Sequence, residues 1–485
     1  MSSKKRTGIS RRSLLKTAAA VSAFGPLFQA TQGELSAQAR QNGPNRNSSP
    51  SDLKITDIRG VTIASNYDYP IIRIDTNQGV YGLGEVFCND MISQALLLKP
   101  FVVGKNPLEI DAILGGVTSG GYGTGIRRFT SQGSSSGGYS AIDIALHDLA
   151  GKVYGVPAWR LLGEKLRDRL LIYCDTTGIS DPKIYGERMK RRQREGGFKF
   201  FKMDLYTTMV ANKKDAVDSR GVATDLGLKY MCEIIQGVRD GIGWEPPLAA
   251  DHFGRLTVKD AIRYARAFEP YHLAWAEDLI SATNWRGFRE ITHATTTPTC
   301  TGEALFGLEE GFKPLIDNDA VNILHPDVTD SGGMIECKRI ADYAAANNIQ
   351  CAVHMANSPL GQLASAHFAA TIRNFMVLEY HAVDIPWWQD LVTGVKKPII
   401  EVGGYQTVPD TPGLGVELNE AVVKEHLVTT GYSVPDGYFA PTPMYDKALI
   451  GNHVHSKYPH LDAEGNPVND LDENTGPVQT GRSQK

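Results

Sequence analysis

The 485-residue sequence lacks the patterns that mark several common functional classes. It has no long basic run, and its net charge of −4 argues against a nucleic-acid or membrane-surface partner. No GxGxxG or GKS/T pattern is present, so a phosphate-binding loop lacks its usual signature. The composition, 42% hydrophobic and 21% charged, is that expected of a globular protein, and the length suits two domains with extensions.

Cysteine is also scarce, with six residues in the whole chain, none of them in a CxxC pair. Cys174, Cys300 and Cys351 lie inside apolar runs typical of strands. We therefore predict buried thiols at these positions and at Cys88, Cys232 and Cys337, with disulfides as the alternative.

The N-terminal region carries targeting signals rather than a fold. Arg11 and Arg12, followed by Leu-Leu-Lys, precede a short apolar stretch, and Ala37-Gln38-Ala39 offers small residues to a signal peptidase. This resembles a twin-arginine export signal, so we expect residues 1–39 to be removed and the mature protein to be exported, for example to the periplasm. The apolar stretch is too short for a retained membrane span, and the Asn/Ser/Pro-rich residues 40–52 are a predicted linker.

Residues 53–165 are predicted to form a small α+β domain. Segments 55–63, 70–75 and 80–86 have strand character, and Asn77-Gln78-Gly79 is typical of a hairpin turn. Helical periodicity follows in 140–153. The Gly/Ser-rich segment 118–138 is interpreted as a mobile loop, with a phosphate cradle as the alternative.

Strand and helix patterns alternate eight times in residues 166–400. The apolar runs are 170–174, 198–205, 248–251, 273–277, 299–303, 321–327, 350–354 and 376–380. The helical segment 257–268 begins with Thr257 and Asp260, a capping-box-like pair. Eight such units predict an α/β fold of the (β/α)8-barrel type, with a doubly wound open sheet as the alternative. In a barrel, the carboxyl ends of the strands build the active site.

Three carboxylates recur at equal intervals, each at the end of a predicted strand. They are Asp251, Glu277 and Glu303. Acids that converge at one end of neighbouring strands repel one another unless a cation lies between them. The spacing therefore predicts a divalent metal site; the alternative is that the acids cap helices or pair with arginine.

The motifs around these acids resemble those of the enolase superfamily, in its mandelate racemase and acid-sugar dehydratase branch. The resemblance is carried by SAIDIALHDLAGKVYG from Ser140, the strand ends LAAD, AED and TGE, PDVTDSGG from Pro326, HMANSPLG from His354, VLEYH and PGLGVEL. It covers roughly residues 53–419 and implies an α+β capping domain over a modified barrel, often with seven parallel strands and one antiparallel. It also implies that residues 401–440 return to the cap. We expect 441–485, which have little apolar periodicity, to form a peripheral arm and polar tail.

The resemblance implies a Mg2+-dependent lyase that removes water from a sugar acid and yields a 2-keto-3-deoxy acid. Asp251, Glu277 and Glu303 would bind one Mg2+ per subunit, and the cation would stabilise the anion formed as the α-proton leaves. The partner would be a small-molecule carboxylate substrate, and a homo-oligomer is expected. The alternatives are a racemase, epimerase or cycloisomerase on the same scaffold, or a non-catalytic metal-binding homologue.

Lys202 and Asp204 occupy the position of the family's Lys-x-Lys motif, and both side chains point to one face of their strand. The second lysine, the usual base, is replaced by Asp204. Lys202 is therefore predicted to be catalytic, either as a base with a lowered pKa or by orienting the substrate, and Asp204 to bind substrate. An ion pair between the two is the alternative.

The remaining candidates also stand at or near strand ends. The resemblance pairs His354 with Asp327 as a proton-transfer dyad and places Glu379 opposite the metal, facing the substrate carboxylate. His252 follows the metal-ligand acid by one residue, whereas related dehydratases have a histidine two residues on. It is a candidate acid or a supporting residue, and Arg255 is a candidate for binding the substrate carboxylate or a neighbouring acid.

Overall fold

The computed structural model describes residues 50–88, 90–119, 136–428 and 437–441. The predicted signal peptide, nearly all of the linker, most of the Gly/Ser-rich loop and the arm beyond residue 441 lie outside the described residues. Within the described ranges, no helix combines the length and the apolar character needed to cross a membrane.

The N-terminal domain begins with an antiparallel three-stranded sheet, β1 (Ile55–Ile63), β2 (Tyr69–Thr76) and β3 (Tyr81–Glu85). Its helices are α1 (Ser93–Leu96), α2 (Lys99–Val102), α3 (Ile110–Ser119) and α4 (Ser136–Tyr154). The predicted hairpin turn is confirmed, because Gly79 adopts φ +79° between β2 and β3. A Cβ at Gly82 would lie 2.0 Å from the Ala145 carbonyl oxygen, so glycine allows α4 to approach the sheet closely. The predicted loop is too long at both ends, since 118–119 end α3 and 136–138 begin α4.

The predicted barrel is confirmed. Its eight strands are β4 (Arg169–Cys174), β5 (Phe201–Asp204), β6 (Leu248–Asp251), β7 (Ala276–Glu277), β8 (Thr299–Thr301), β9 (Ile323–Leu324), β10 (Gln350–Val353) and β11 (Phe375–Tyr380). Each strand pairs in parallel with the next, and β11 closes on β4, which excludes the open sheet. All eight barrel strands are parallel, so the implied antiparallel strand is wrong for this chain.

Helices separate the barrel strands and cover them from outside. They are α6 (Pro182–Gly196), α7 (Asp225–Ile242), α8 (Val258–Phe268), α9 (Trp285–Thr292), α10 (Lys313–Asp317), α11 (Gly333–Ala346) and α12 (Pro359–Ala369), while α5 (Trp159–Leu162) precedes β4. The predicted cap of α8 is confirmed, because Thr257 Oγ1 accepts the Asp260 N–H at 3.3 Å.

The barrel interior is filled by one layer of side chains, contributed by the eight strand segments. They are Tyr173, Phe200, Ala249, Trp275, Cys300, Ile323, Ala352 and Val377. Since strand side chains alternate, the residue two positions further on faces the same interior, one level nearer the carboxyl-end mouth. That rule selects Asp175, Lys202, Asp251, Glu277, His325, His354 and Glu379, while Gly302 occupies the eighth position and Glu303 follows it.

The segment after the barrel includes β12 (Val392–Thr393), β13 (Tyr405–Thr407), β14 (Glu417–Leu418) and α13 (Glu420–Glu425). Strand β13 pairs with β4 in the antiparallel sense, outside the closed barrel. Leu414 N–H donates to Asp148 Oδ1 of α4 at 2.8 Å, and Glu417 lies 2.9 Å from Lys152 Nζ. These contacts join the segment to the N-terminal domain; the domain boundaries themselves stay a prediction.

The cysteine prediction is confirmed in its main point, since all six side chains are free thiols. Five are buried, and Cys232 is partly exposed.

Candidate active site

Lys202 lies at the centre of a cluster of carboxylates inside the barrel mouth. Its Nζ is 2.8 Å from Glu379 Oε1, 3.3 Å from Glu277 Oε1 and 4.0 Å from Asp251 Oδ2. Burial acts to lower the pKa of Lys202, but Glu277 and Glu379 outweigh it and raise the pKa well above its usual range. The expected lowering of this pKa is therefore not found. Among the described residues, four carboxylates lie within 4.0 Å of this ammonium and Asp204 is not one of them, which disfavours the predicted alternative of a Lys202–Asp204 ion pair.

A possible metal-binding triad lies beside Lys202. Glu277, Glu303 and His325 each offer one ligand atom, and these atoms lie within 4.8 Å of one another. His325 Nδ1 is 3.1 Å from the Ala352 carbonyl oxygen, and its Nε2 lies 3.2 Å from both Glu277 Oε1 and the Tyr173 hydroxyl. Two carboxylates and an imidazole this close together are a ligand set that suits a divalent cation.

The predicted ligands are only partly brought together by the structure. Glu277 and Glu303 belong to the triad, whereas Asp251 pairs with Glu277 in strand register but is not a member of the triad. Burial and the nearby Glu277 charge raise the pKa of Asp251, and burial likewise raises the pKa of Glu303. Burial also acts to raise the pKa of Glu277, but His325 and Lys202 outweigh it and hold that pKa well below its usual range. The expectation that all three would be raised is therefore wrong for Glu277.

His354 and Asp327 form the predicted pair, and they lie next to Glu303 of the triad. His354 Nδ1 lies 2.6 Å from Asp327 Oδ2, and the other Asp327 oxygen accepts the Thr329 N–H and O–H. The carboxylate thus fixes the imidazole so that Nε2 faces the site, 3.2 Å from Glu303. Burial acts to lower the pKa of His354, but the carboxylates of Glu303, Glu379 and Asp327 raise it to about 10.

Glu379 lies between the two sides of the cluster. Its Oε2 accepts the Met355 N–H at 3.1 Å and lies 3.6 Å from His354 Nε2, while its Oε1 contacts Lys202. Asp204 is buried at the end of β5, and burial with the nearby Asp175 charge raises its pKa well above the usual range. When protonated, such a carboxyl can donate a hydrogen bond, which is compatible with the predicted substrate contact.

The structure does not bring His252 or Arg255 into this cluster. His252 follows the inward-facing Asp251 directly, so its side chain points to the outside of the barrel. Its ring stacks on Phe268 of α8 with the ring centroids 5.5 Å apart, and its Nδ1 lies 3.1 Å from the Glu277 carbonyl oxygen. Burial lowers the pKa of His252 to about 4. Of the two predicted roles for His252, this position favours the supporting role over the catalytic one. Arg255 is exposed and its backbone bridges Ile280, a position that does not support the predicted substrate contact.

Comparisons with known proteins agree with this architecture. Two family profiles match the chain, the mandelate racemase / muconate lactonizing enzyme N-terminal domain over residues 52–163 and the enolase C-terminal domain-like profile over residues 185–422. A D-xylonate dehydratase from Haloferax volcanii is 34% identical over 384 residues, covering 78% of this chain and 90% of that protein. The chain belongs to the mandelate racemase/muconate lactonizing enzyme family.

Solved structures of this family share the fold. A mandelate racemase/muconate lactonizing enzyme-like protein from Rubrobacter xylanophilus has a TM-score of 0.71 and 30% identity, covering 79% of this chain and 98% of that one. The 3,6-anhydro-D-galactonate cycloisomerase from Zobellia galactanivorans has a TM-score of 0.65 and 26% identity, covering 77% of this chain and 99% of that one. Family, fold and relatives place the chain in the acid-sugar dehydratase branch of the enolase superfamily, as a hydro-lyase.

Three residues at the mouth of the barrel are not among the site residues predicted from the sequence. They are Asp175, His325 and His381. His325 joins the triad, and His381 Nε2 lies 2.9 Å from Asp175 Oδ2. The alternation of side chains along a strand was the available signal. Asp175, His325 and His381 each lie an even number of residues beyond a residue of β4, β9 or β11 that faces the barrel interior. Asp175 and His381 lie one residue beyond their predicted strands, and His325 lies inside the predicted strand 321–327, whose final residue Asp327 was selected instead.

Proposed function

We propose that the protein is a Mg2+-dependent dehydratase of a sugar acid of the aldonate or uronate-derived type, forming a 2-keto-3-deoxy acid. One observation carries the proposal: two proton-bearing groups approach the same carboxyl from different sides. Lys202 Nζ lies 2.8 Å from Glu379 Oε1, and His354 Nε2 lies 3.6 Å from Glu379 Oε2. Dehydration needs one group that accepts the α-proton and one group that protonates the departing β-hydroxyl, so proton-transfer groups must lie close to the substrate.

Glu277, Glu303 and either Asp251 or His325 would hold the metal. When bound, Mg2+ would supply positive charge at the substrate carboxylate, where negative charge grows as the α-proton leaves. An imidazole ligand beside two carboxylates also suits Mn2+ and other transition metals, so metal preference is part of the test.

The side chains around the metal site have separate roles in proton transfer and substrate binding. His354, held by Asp327, presents Nε2 to the site and gives a proton to the departing β-hydroxyl, which leaves as water. The α-proton goes to a basic group, and the C–H electron pair forms the new double bond as the C–O bond breaks. Lys202 orients the substrate carboxylate through its ammonium, and it accepts the α-proton only in its neutral form. The enol product then tautomerises to the 2-keto-3-deoxy acid.

A screen of sugar acids with Mg2+ or Mn2+, after treatment with a chelator, tests the proposal. We expect a product that has lost one water and carries a 2-keto group, and activity that returns on adding the metal. His354→Asn should abolish dehydration. Solvent-deuterium exchange at the α-carbon then separates the roles: retained exchange makes His354 the acid only, and lost exchange makes it the base as well. Full dehydration by this variant would refute the assigned role.

A cycloisomerase is the second candidate, supported by the 26% identity to the Zobellia galactanivorans cycloisomerase. It would share the proton transfer steps but yield a product of unchanged mass. Mass spectrometry of the product from the same screen distinguishes the two activities.

We also propose that the enzyme is exported by the twin-arginine route and acts as a homo-oligomer. The proposals are supported by Arg11-Arg12 with the following apolar stretch and by the family. Cell fractionation and light scattering on the purified mature chain test them.

A further inference from the structure

A second histidine–aspartate pair lies at the barrel mouth, between the first and last barrel strands. His381 follows β11 and Asp175 follows β4, and His381 Nε2 is 2.9 Å from Asp175 Oδ2. The side chains are only 10% and 2% exposed. This pair is separate from the His354–Asp327 pair, whose members follow β10 and β9.

Asn66 of the N-terminal domain fixes which nitrogen of His381 carries the proton. The Asn66 amide oxygen accepts the Tyr69 hydroxyl at 2.9 Å, so its amide nitrogen is the atom that lies 3.1 Å from His381 Nδ1. An amide nitrogen only donates, and therefore Nδ1 is the acceptor. The proton of the neutral ring is then on Nε2, where it donates to Asp175.

The second oxygen of Asp175 faces the centre of the site. Oδ1 is buried, accepts no hydrogen bond from the described residues and lies 3.9 Å from Lys202 Nζ. Arg192 of α6 holds this arrangement from behind, since it donates to the Asp175 carbonyl oxygen and pairs with Asp384 at 2.5 Å. The end of β4 is thereby fixed against the loop that carries His381.

The same pair contacts the loop between β1 and β2, residues 64–68, which we call the cap loop. All five cap-loop residues are buried. Besides Asn66, the loop provides Tyr67, whose hydroxyl lies 3.3 Å from His381 Nε2 and whose ring centroid is 4.7 Å from that of His381. An uninterrupted series of contacts thus runs from the cap loop through His381 and Asp175 to Lys202.

We propose that His381 and Asp175 are positioning residues that hold Lys202 against the substrate and fasten the cap loop over it. The fastening of the loop and the placement of Lys202 are then coupled, because a single imidazole contacts both the cap loop and Asp175, which in turn lies beside Lys202. The part concerning Lys202 rests on the proposed dehydratase function; the part concerning the cap loop does not.

Five variants of the full-length chain test this proposal: His381→Phe, Asp175→Asn, the double variant His381→Phe/Asp175→Asn, His381→Gln and the control His147→Gln. His147 is buried 3.3 Å from Asp143 in α4, so its replacement removes a similar pair away from the mouth. The measurements are kcat and KM on a sugar acid that the wild type dehydrates, and hydrogen exchange of residues 64–68.

We expect His381→Phe and Asp175→Asn to lower kcat by about 100-fold, the effect of a small misplacement of a catalytic group, with a smaller rise in KM. Exchange in residues 64–68 should become faster in His381→Phe. His381→Gln should recover most of kcat, because its amide can donate to Asp175 and accept from Asn66. The double variant His381→Phe/Asp175→Asn should be no worse than either single variant, since the pair acts as a unit.

Opposite results overturn the proposal. If His381→Phe and Asp175→Asn keep kcat within about threefold of the wild type, as expected for His147→Gln, the pair is only structural. Multiplicative losses in the double variant would also overturn it. If the wild type dehydrates no sugar acid, the proposed function fails, and hydrogen exchange of residues 64–68 then decides on the proposal alone. Unchanged exchange in His381→Phe overturns the proposal, and faster exchange supports it.

Discussion

Glu85, at the end of β3, is expected to make the stability of the protein fall as pH rises through neutrality. Its carboxylate is fully buried and accepts hydrogen bonds from Ser358 N–H at 3.0 Å, Ser358 O–H at 2.7 Å and Gly361 N–H at 2.8 Å. Burial raises the pKa of Glu85 from 4.5 to about 7, because the cost of removing the charge from water exceeds the gain from these donors.

The direction and size of the effect follow from proton linkage. Between pH 4.5 and 7, the folded protein keeps a proton on Glu85 that the unfolded chain has released. The contribution of this group is therefore fully present below about pH 4.5 and is lost as pH rises through 7. Since a pKa difference of one corresponds to about 1.4 kcal/mol, the loss amounts to about 3 kcal/mol.

Urea unfolding of the wild type and Glu85→Gln between pH 4.5 and 7.5 measures this loss. The variant loses a hydrogen bond to the start of α12, at a cost of about 1–3 kcal/mol that does not depend on pH. That cost does not change with pH, and the other titrating groups contribute equally to the free energy of unfolding of both proteins. Both contributions therefore cancel when the change in unfolding free energy with pH is compared between the two proteins. We expect the wild type to lose about 3 kcal/mol relative to the variant across this range.

The control is Glu336→Gln, because Glu336 also accepts a backbone N–H, from Leu308 at 2.8 Å, but is partly exposed. A difference between wild type and Glu85→Gln that stays constant from pH 4.5 to 7.5 would refute the reasoning.

Three further predictions concern other parts of the chain. His252→Gln should keep kcat within about threefold, because the ring faces α8, and should lower the melting temperature; loss of turnover with unchanged stability would return His252 to the active site. Glu277→Gln should weaken Mg2+ or Mn2+ binding in calorimetry by about tenfold or more, and equally tight binding would rule out the triad as the metal site. Replacing Arg11 and Arg12 by lysine should stop export, and a normally exported variant would indicate a different route.

The repeating architecture was predictable because it rests on a strong local signal. Each barrel strand is an apolar run whose ends differ from the prediction by a few residues, and the cap of α8 at Thr257 follows from side-chain chemistry alone. The final acids of β6 and β7 were found for the same reason. Strand polarity was less secure, since the antiparallel strand implied by the family is absent from this closed barrel.

The remaining features depend on contacts between distant parts of the chain. His252 was misplaced because a one-residue shift at the end of a strand turns a side chain from the mouth to the outer helices. The pKa of Lys202 could not be predicted, since its direction depends on carboxylates from several strands meeting one ammonium. His381 owes its fixed proton to Asn66, more than three hundred residues earlier in the chain.

The eight buried side chains of the layer beneath the mouth, from Tyr173 to Val377, support all the functional groups, and we call this layer the floor. The floor determines which substitutions can change the chemistry of the enzyme without destroying the site. Seven functional groups of the mouth each stand on their own strand, two positions beyond a floor residue, so one group can be exchanged without moving the others. The replacement of the usual second lysine by Asp204 is such an exchange on β5. A bulkier residue at Ala249 or Ala352 would instead push neighbouring strands apart and displace several groups at once. The floor thus separates substitutions that alter one step of a reaction from those that disable the whole site.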